Sequence, residues 1–259
     1  PEKSKNWCVD DGYGVIDEKG RRYTFAAYYN HWYIWMDGSV ASGERKNSIL
    51  CIIKALKDAY LYTGESKYAK AGVIILDRVA DVYPDMDVSQ YRIEDGYRHN
   101  HGITKKGNIT GAISECEVAK KLIGAYDAFF PEIYNKDCTD VISFLSEKAE
   151  LYGFDNKKAD IDHIKANIEN NILRLVFPRI KDARIKGNVG MHQSTLAMAA
   201  LVLEDKDAAE EWMNWLLKPG GLVGELDWQV TGGNLLNVLY YDVDRDGHGN
   251  EAAPGYNYL

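Results

Sequence analysis

The sequence predicts an all-α fold of successive antiparallel helical hairpins. Apolar residues recur at three- and four-residue steps over most of the chain. The runs stop at glycine or proline, and few stretches alternate with the period of two that a half-buried strand needs. Periodicity leaves open a bundle, a solenoid or a ring of hairpins.

Residues 1 to 22 read as an irregular entry, with turns at Asp10-Asp11-Gly12 and Glu18-Lys19-Gly20. Tyr23 to Met36 is dense in aromatics and is expected to be helical. Its Tyr28, Tyr29, His31 and Trp32 suit either a cleft wall or a buried helix. From Glu44 to Tyr62, Ile49, Ile52, Ile53, Leu56 and Tyr60 form one apolar face. Gly64 is placed to end that helix, and Ser66 to cap the next, which runs to about Val82 before Pro84. So short a turn predicts an αα-hairpin. Residues 84 to 108 read as a loop carrying Arg98, His99 and His101.

Helices are then expected over Thr110 to Phe130, interrupted by Pro131, over Thr139 to Tyr152, and over Asp160 to Phe177, ended by Pro178. A further helix is expected from about Asn188 to Leu203, with Ala208 to Leu217 as its short partner. Lys218-Pro219-Gly220-Gly221 is a strong break. A last helix is expected within Asp227 to Tyr241, weakened by Gly232-Gly233.

A chain of 259 residues can bury a substantial core as one large domain or two modest ones. It begins at Pro1 and reads as a mature product or a piece. A net charge of −8 argues against a nucleic-acid partner. No run approaches the roughly 18 apolar residues of a membrane helix. Cys8, Cys51, Cys116 and Cys138 are widely spaced with no CxxC, so they read as small hydrophobes and not as a zinc site. No cofactor and no metal is called for.

A net acidic chain can still hold a basic cleft. Arg174, Arg179, Lys181, Arg184 and Lys186 concentrate positive charge, either to steer an anion or as a solvated face. Eighteen tyrosines and six tryptophans suit both core packing and stacking on sugar rings.

Asn188 and His192 are four apart at the expected head of a helix. One face would then carry an amide donor and a histidine offering a donor or a positive charge, beside unpaired backbone N–H groups. That is a carboxylate site, or else a helix cap and a core histidine. Arg98 and His99 are candidate contacts to the same carboxylate. Asp246 to Asn257 is a constrained loop able to present Glu251, Tyr256 and Asn257 to a ligand. Asp242 to Gly247 begins like an EF-hand loop, but its twelfth position is Ala253 instead of glutamate.

Gly187-Asn188-Val189-Gly190-Met191-His192-Gln193, with Asn250-Glu251-Ala252-Ala253-Pro254-Gly255-Tyr256 later in the chain, resembles the motifs of heparinase II/III-type polysaccharide lyases. The helix-pair pattern is similar to that family's N-terminal incomplete (α/α) toroid. The resemblance implies β-elimination on a uronic-acid-containing anionic polysaccharide by a secreted or periplasmic enzyme. It implies that Asn188 and His192 neutralise the carboxylate and that Tyr256 is the general base or acid. Gln193 and Glu251 would contact substrate. A β-sandwich domain is expected to follow the toroid. A glycoside hydrolase using paired carboxylates, with Asp10, Asp11, Glu225 and Asp227 as candidates, and a non-catalytic carbohydrate-binding or scaffold protein are the competing readings.

Overall fold

The computed structural model describes residues 15–16, 22–23, 49–87, 104, 106–109, 111–134, 137–188, 190–225 and 227–245. The described residues are mostly α-helical, as the apolar periodicity requires. They fall into two compact units: Pro1–Asp85 with Gly124–Asn171, and Met86–Ile123 with Ile172–Leu259.

In the first unit a short antiparallel pair, β1 (Val15–Ile16) and β2 (Arg22–Tyr23), matches Val15 with Tyr23. Tyr23 therefore lies in a strand and does not open a helix. The remainder of the expected helix to Met36 lies outside the described residues.

Helix α1 (Ile49–Thr63) buries Ile49 and Ile53 of the expected face together with Leu50, while Leu56 and Tyr60 are half-buried and Ile52 is exposed. Gly64, at φ 69°, ends it with its N–H on the Tyr60 carbonyl at 2.7 Å. Helix α2 (Ser66–Val82) packs back against α1. Ser66 is its first residue and does not cap it; Glu65 holds the cap position without a side-chain bond. The Glu65 N–H is satisfied instead by the Thr63 hydroxyl at 3.2 Å.

Helix α3 (Ala112–Ile133) begins in the second unit and ends in the first. It runs through Pro131, where a stop was expected. One missing N–H in its last turn is outweighed by the burial of Phe129 and Ile133 on either side. Helix α4 (Thr139–Leu151) follows, and then α5 (Ile161–Ile168), capped by the Asp160 carboxylate on the His163 N–H. Both α4 and α5 pack on α2.

The helix expected to run unbroken from Asp160 to Phe177 is divided. After α5 the backbone widens into a π-helical segment, Glu169–Leu173, and then re-forms as α6 (Val176–Lys181). Pro178 is the third residue of α6 and does not end the helix, because first-turn N–H groups have no intrahelical acceptor.

The second unit continues with α7 (Met191–Val202) and α8 (Lys206–Leu217), a second helical hairpin. Asp205 caps α8, accepting from the N–H groups of Asp207 and Ala208 at 3.1 Å each. Phe177 of α6 packs between Trp212 and Trp215 of α8, with ring centroids at 5.7 and 5.4 Å. The region expected to hold only a weak helix forms a hairpin first. Strand β3 (Leu222–Val223) pairs antiparallel with β4 (Gln229–Val230), and α9 (Leu235–Tyr241) follows.

Candidate functional site

The segment from α6 into α7 carries the sequence motif, and the local backbone decides what it can reach. Helix α7 starts at Met191 and not at Asn188, because Gly190 sits at φ 84°. That left-handed conformation breaks helical continuity and suits glycine. Asn188 and His192 are therefore not successive turns of one helix. The chain instead turns between them, with the Met191 N–H on the Asn188 carbonyl at 3.2 Å.

The turn still brings both residues to one cavity of about 250 Å³. Gln193, Lys186, Asn234 and Asp242 line it too, with glycines 220, 221, 232 and 233 along the hairpin side. At Gly220, Gly232 and Gly233 the backbones nearly touch. A Cβ on Gly233 would lie 2.5 Å from the Leu216 Cα, and one on Gly232 would lie 2.6 Å from the Lys218 carbonyl. Gly233 donates to the Trp215 carbonyl at 3.0 Å and Asn234 to that of Lys218 at 2.9 Å, which locks the hairpin onto the end of α8. Lys106 ties the other side. Its ammonium reaches the Asp182 and Trp228 carbonyls at 2.9 Å and the Asp227 carboxylate at 3.0 Å.

Two atoms in this cavity stand out. His192 and Gln193 are only 5% and 4% exposed. Among the described residues, neither His192 Nδ1 nor Gln193 Oε1 has a hydrogen-bond partner. The Gln193 side chain is held in place from its other end, donating through Nε2 to the Gly233 carbonyl at 3.0 Å. A buried polar atom without a partner costs on the order of 1–3 kcal/mol, and here two such atoms belong to neighbouring residues that line one cavity.

The electrostatics assign the positive charge. Burial, and then the neighbouring Lys186 ammonium, push the His192 pKa down to about 3, although the Gly187 carbonyl favours the protonated ring. At neutral pH His192 is therefore an uncharged acceptor or donor. The positive charge in the cavity lining belongs to Lys186, whose own pKa burial lowers, and Asp242 brings a carboxylate to the same lining. The Lys186 ammonium donates to the Gly187 carbonyl at 2.5 Å, and no described carboxylate pairs with it.

The rest of the basic segment is engaged within the protein. Arg174 pairs with Asp205 at 2.8 Å, Arg184 with Asp87 at 3.3 Å and Arg179 with Asp182 at 3.5 Å. The Lys181 ammonium lies 5.0 Å from the Phe177 ring centroid. In the sequence these cations form one basic run; only packing separates Lys186 from them. The sequence marks Asp242 only as the head of an EF-hand-like stretch and does not mark Asn234, although the paired glycines beside Asn234 signal close backbone approach.

Tyr256, Glu251, Arg98 and His99 lie outside the described residues. Of the hydrolase candidates, Asp10 and Asp11 do as well, while Glu225 and Asp227 are exposed and do not line the cavity. Among the described residues no group of three His, Cys, Asp or Glu side chains converges, and no helix is long and apolar enough to cross a membrane.

This chain matches no family model, no curated protein and no solved structure.

Proposed function

We propose that the Lys186–Asn188–His192–Gln193 cavity is the uronate-binding part of a polysaccharide lyase, acting by β-elimination on an anionic polysaccharide. The observation that carries the reading is that His192 and Gln193, whose buried Nδ1 and Oε1 have no partner among the described residues, line the same cavity as Lys186 and Asn188. A uronic acid supplies what such a cavity lacks: one carboxylate for the cation and hydroxyl groups for the acceptors.

In this reading the carboxylate sits against Lys186 and the Asn188 amide. The proton on C5, next to that carboxylate, is weakly acidic until the carboxylate charge is offset. A base then removes it, and the electron pair moves into the carboxylate as an enolate. Collapse of the enolate forms the C4–C5 double bond and expels the O4 of the neighbouring sugar, which takes a proton. Neutral His192 and Gln193 would hold ring hydroxyls. Tyr256 is proposed as the proton-transfer residue, since a tyrosine of ordinary pKa about 10 becomes a usable base near a cation.

The finer architecture belongs to the same proposal: hairpins such as α1–α2 and α7–α8 as parts of an incomplete (α/α) toroid, with a β-sandwich domain completing the cleft in a secreted or periplasmic protein.

The test is to incubate the intact protein with glycosaminoglycans and alginate and follow the ultraviolet absorbance of the new double bond. Cleavage that Tyr256→Phe abolishes and Lys186→Ala strongly weakens supports the reading. Reducing ends appearing without that absorbance would mean hydrolysis and would overturn it.

A further inference from the structure

The first unit holds a larger cavity, of about 360 Å³, that the proposed lyase chemistry does not use. Its size falls within the roughly 300–1,000 Å³ of small-molecule sites. The walls are apolar: Ile49 and Ile52 from α1, Ile74 and Ile75 from α2, and Phe144 and Leu145 from α4. Ile52 and Phe144 are 37% and 42% exposed, so apolar surface is presented at the opening.

The polar groups fall into two sets. At the floor Lys158, 1% exposed, donates to Asp77 and Asp81 at 2.6 Å each. Asn167 donates to the Oδ1 atoms of the same two carboxylates at 2.9 and 3.0 Å. Arg78 lies 3.6 Å from Asp81, and its guanidinium stacks over Phe154. Every charge there is answered from within the protein. Lys148 differs. It lines the cavity with its ammonium 5.5 Å from the Phe144 ring centroid and 6.0 Å from that of Tyr152, and no described carboxylate pairs with it. With all groups ionised, Arg78, Lys148 and Lys158 against Asp77 and Asp81 leave one positive charge in excess. That charge stands beside an apolar hollow.

We infer that this cavity binds an anionic amphiphile, an apolar chain or ring lying against the isoleucines and Phe144 with its carboxylate head on Lys148. Burial of the apolar body supplies the affinity, and the unpaired ammonium selects the sign of the head group. A cationic amphiphile of the same length meets the same walls but the wrong charge, and a short carboxylate meets the charge without the walls.

Calorimetric titration of the intact protein tests this, with decanoate, decylamine and acetate as probes below micelle-forming concentration. Decanoate is expected to bind once per chain, with decylamine and acetate much weaker. Lys148→Met keeps the apolar stem and removes the charge, and is expected to weaken decanoate by about tenfold or more. Ile74→Trp fills the hollow and is expected to abolish binding, with its helical circular dichroism showing that it still folds. Equal binding of decanoate and decylamine, decanoate binding indifferent to Lys148→Met, or no decanoate binding would each overturn the inference.

Discussion

Replacing Lys158 with methionine is the sharpest stability test that the first unit offers. The lysine is almost wholly buried between Asp77 and Asp81. Methionine fills similar volume but leaves two carboxylates facing each other, with Asn167 on both and Arg78 on Asp81 to answer them. Breaking a buried pair by removing one partner costs about 3–5 kcal/mol.

The loss should depend on pH. Burial raises the Asp77 pKa from 3.8 to about 6 even with Lys158 in place. For a carboxyl raised on folding, the stabilising contribution is complete below 3.8 and lost as pH rises through about 6. At about 1.4 kcal/mol per pH unit, that interval amounts to about 3 kcal/mol. Lys158 is the strongest influence holding the value down, so Lys158→Met moves the titration higher still.

Urea denaturation followed by helical circular dichroism should show a large loss at about pH 8 and a smaller one at about pH 5, where Asp77 accepts a proton. The double variant Asp77→Asn with Lys158→Met should recover much of the loss. A single variant as stable as the parent at the higher pH, or one hurt more at the lower pH, would refute the argument.

Two further outcomes follow from the second unit. The His192 pKa is depressed from 6.5 to about 3, so its contribution to stability is present above 6.5 and lost as pH falls through about 3. The interval is worth about 5 kcal/mol; His192→Leu should flatten the acid side of the stability profile, and the His192 ring in the folded parent should show no NMR titration between about pH 8 and 5. Gly233→Ala sets a Cβ 2.5 Å from the Leu216 Cα, and the resulting backbone shift should cost about 1–3 kcal/mol in thermal or urea unfolding.

The helices that were legible in the sequence are those whose apolar face and stop signals agree. Helix α1 buries Ile49 and Ile53 of the face read from its spacing, though not Ile52, and Gly64 ends it in the left-handed conformation. Where the breakers misled, position within the element was the reason. Pro178 falls in a first turn, where a missing N–H costs little, and Pro131 in a last turn, where the burial of Phe129 and Ile133 outweighs the lost bond. The paired glycines weaken a helix prediction but mark close backbone contact, Gly232 with Lys218 and Pro219 and Gly233 with Leu216, 13 to 17 positions away.

At the candidate site, the meeting of Asn188 and His192 was legible, but the helical geometry offered for it was not. Gly190 replaces the assumed first turn. Charge was the least legible property. Lys157 and Lys158 are neighbours in a polar run, yet one is exposed and the other holds the buried carboxylates. Lys186 likewise differs from Arg174, Arg179 and Arg184 in having no carboxylate folded against it among the described residues.

The central claim is that the Lys186 cavity binds a uronate for elimination. The most direct measurement is ultraviolet absorbance of the intact protein acting on uronate polymers, compared with the Lys186→Met and Gln193→Leu variants. Double-bond formation by the parent, sharply reduced by Lys186→Met and weakened by Gln193→Leu, is the predicted result. Double-bond formation that both variants retain at the parental rate would contradict the claim, as would no double bond from any uronate polymer.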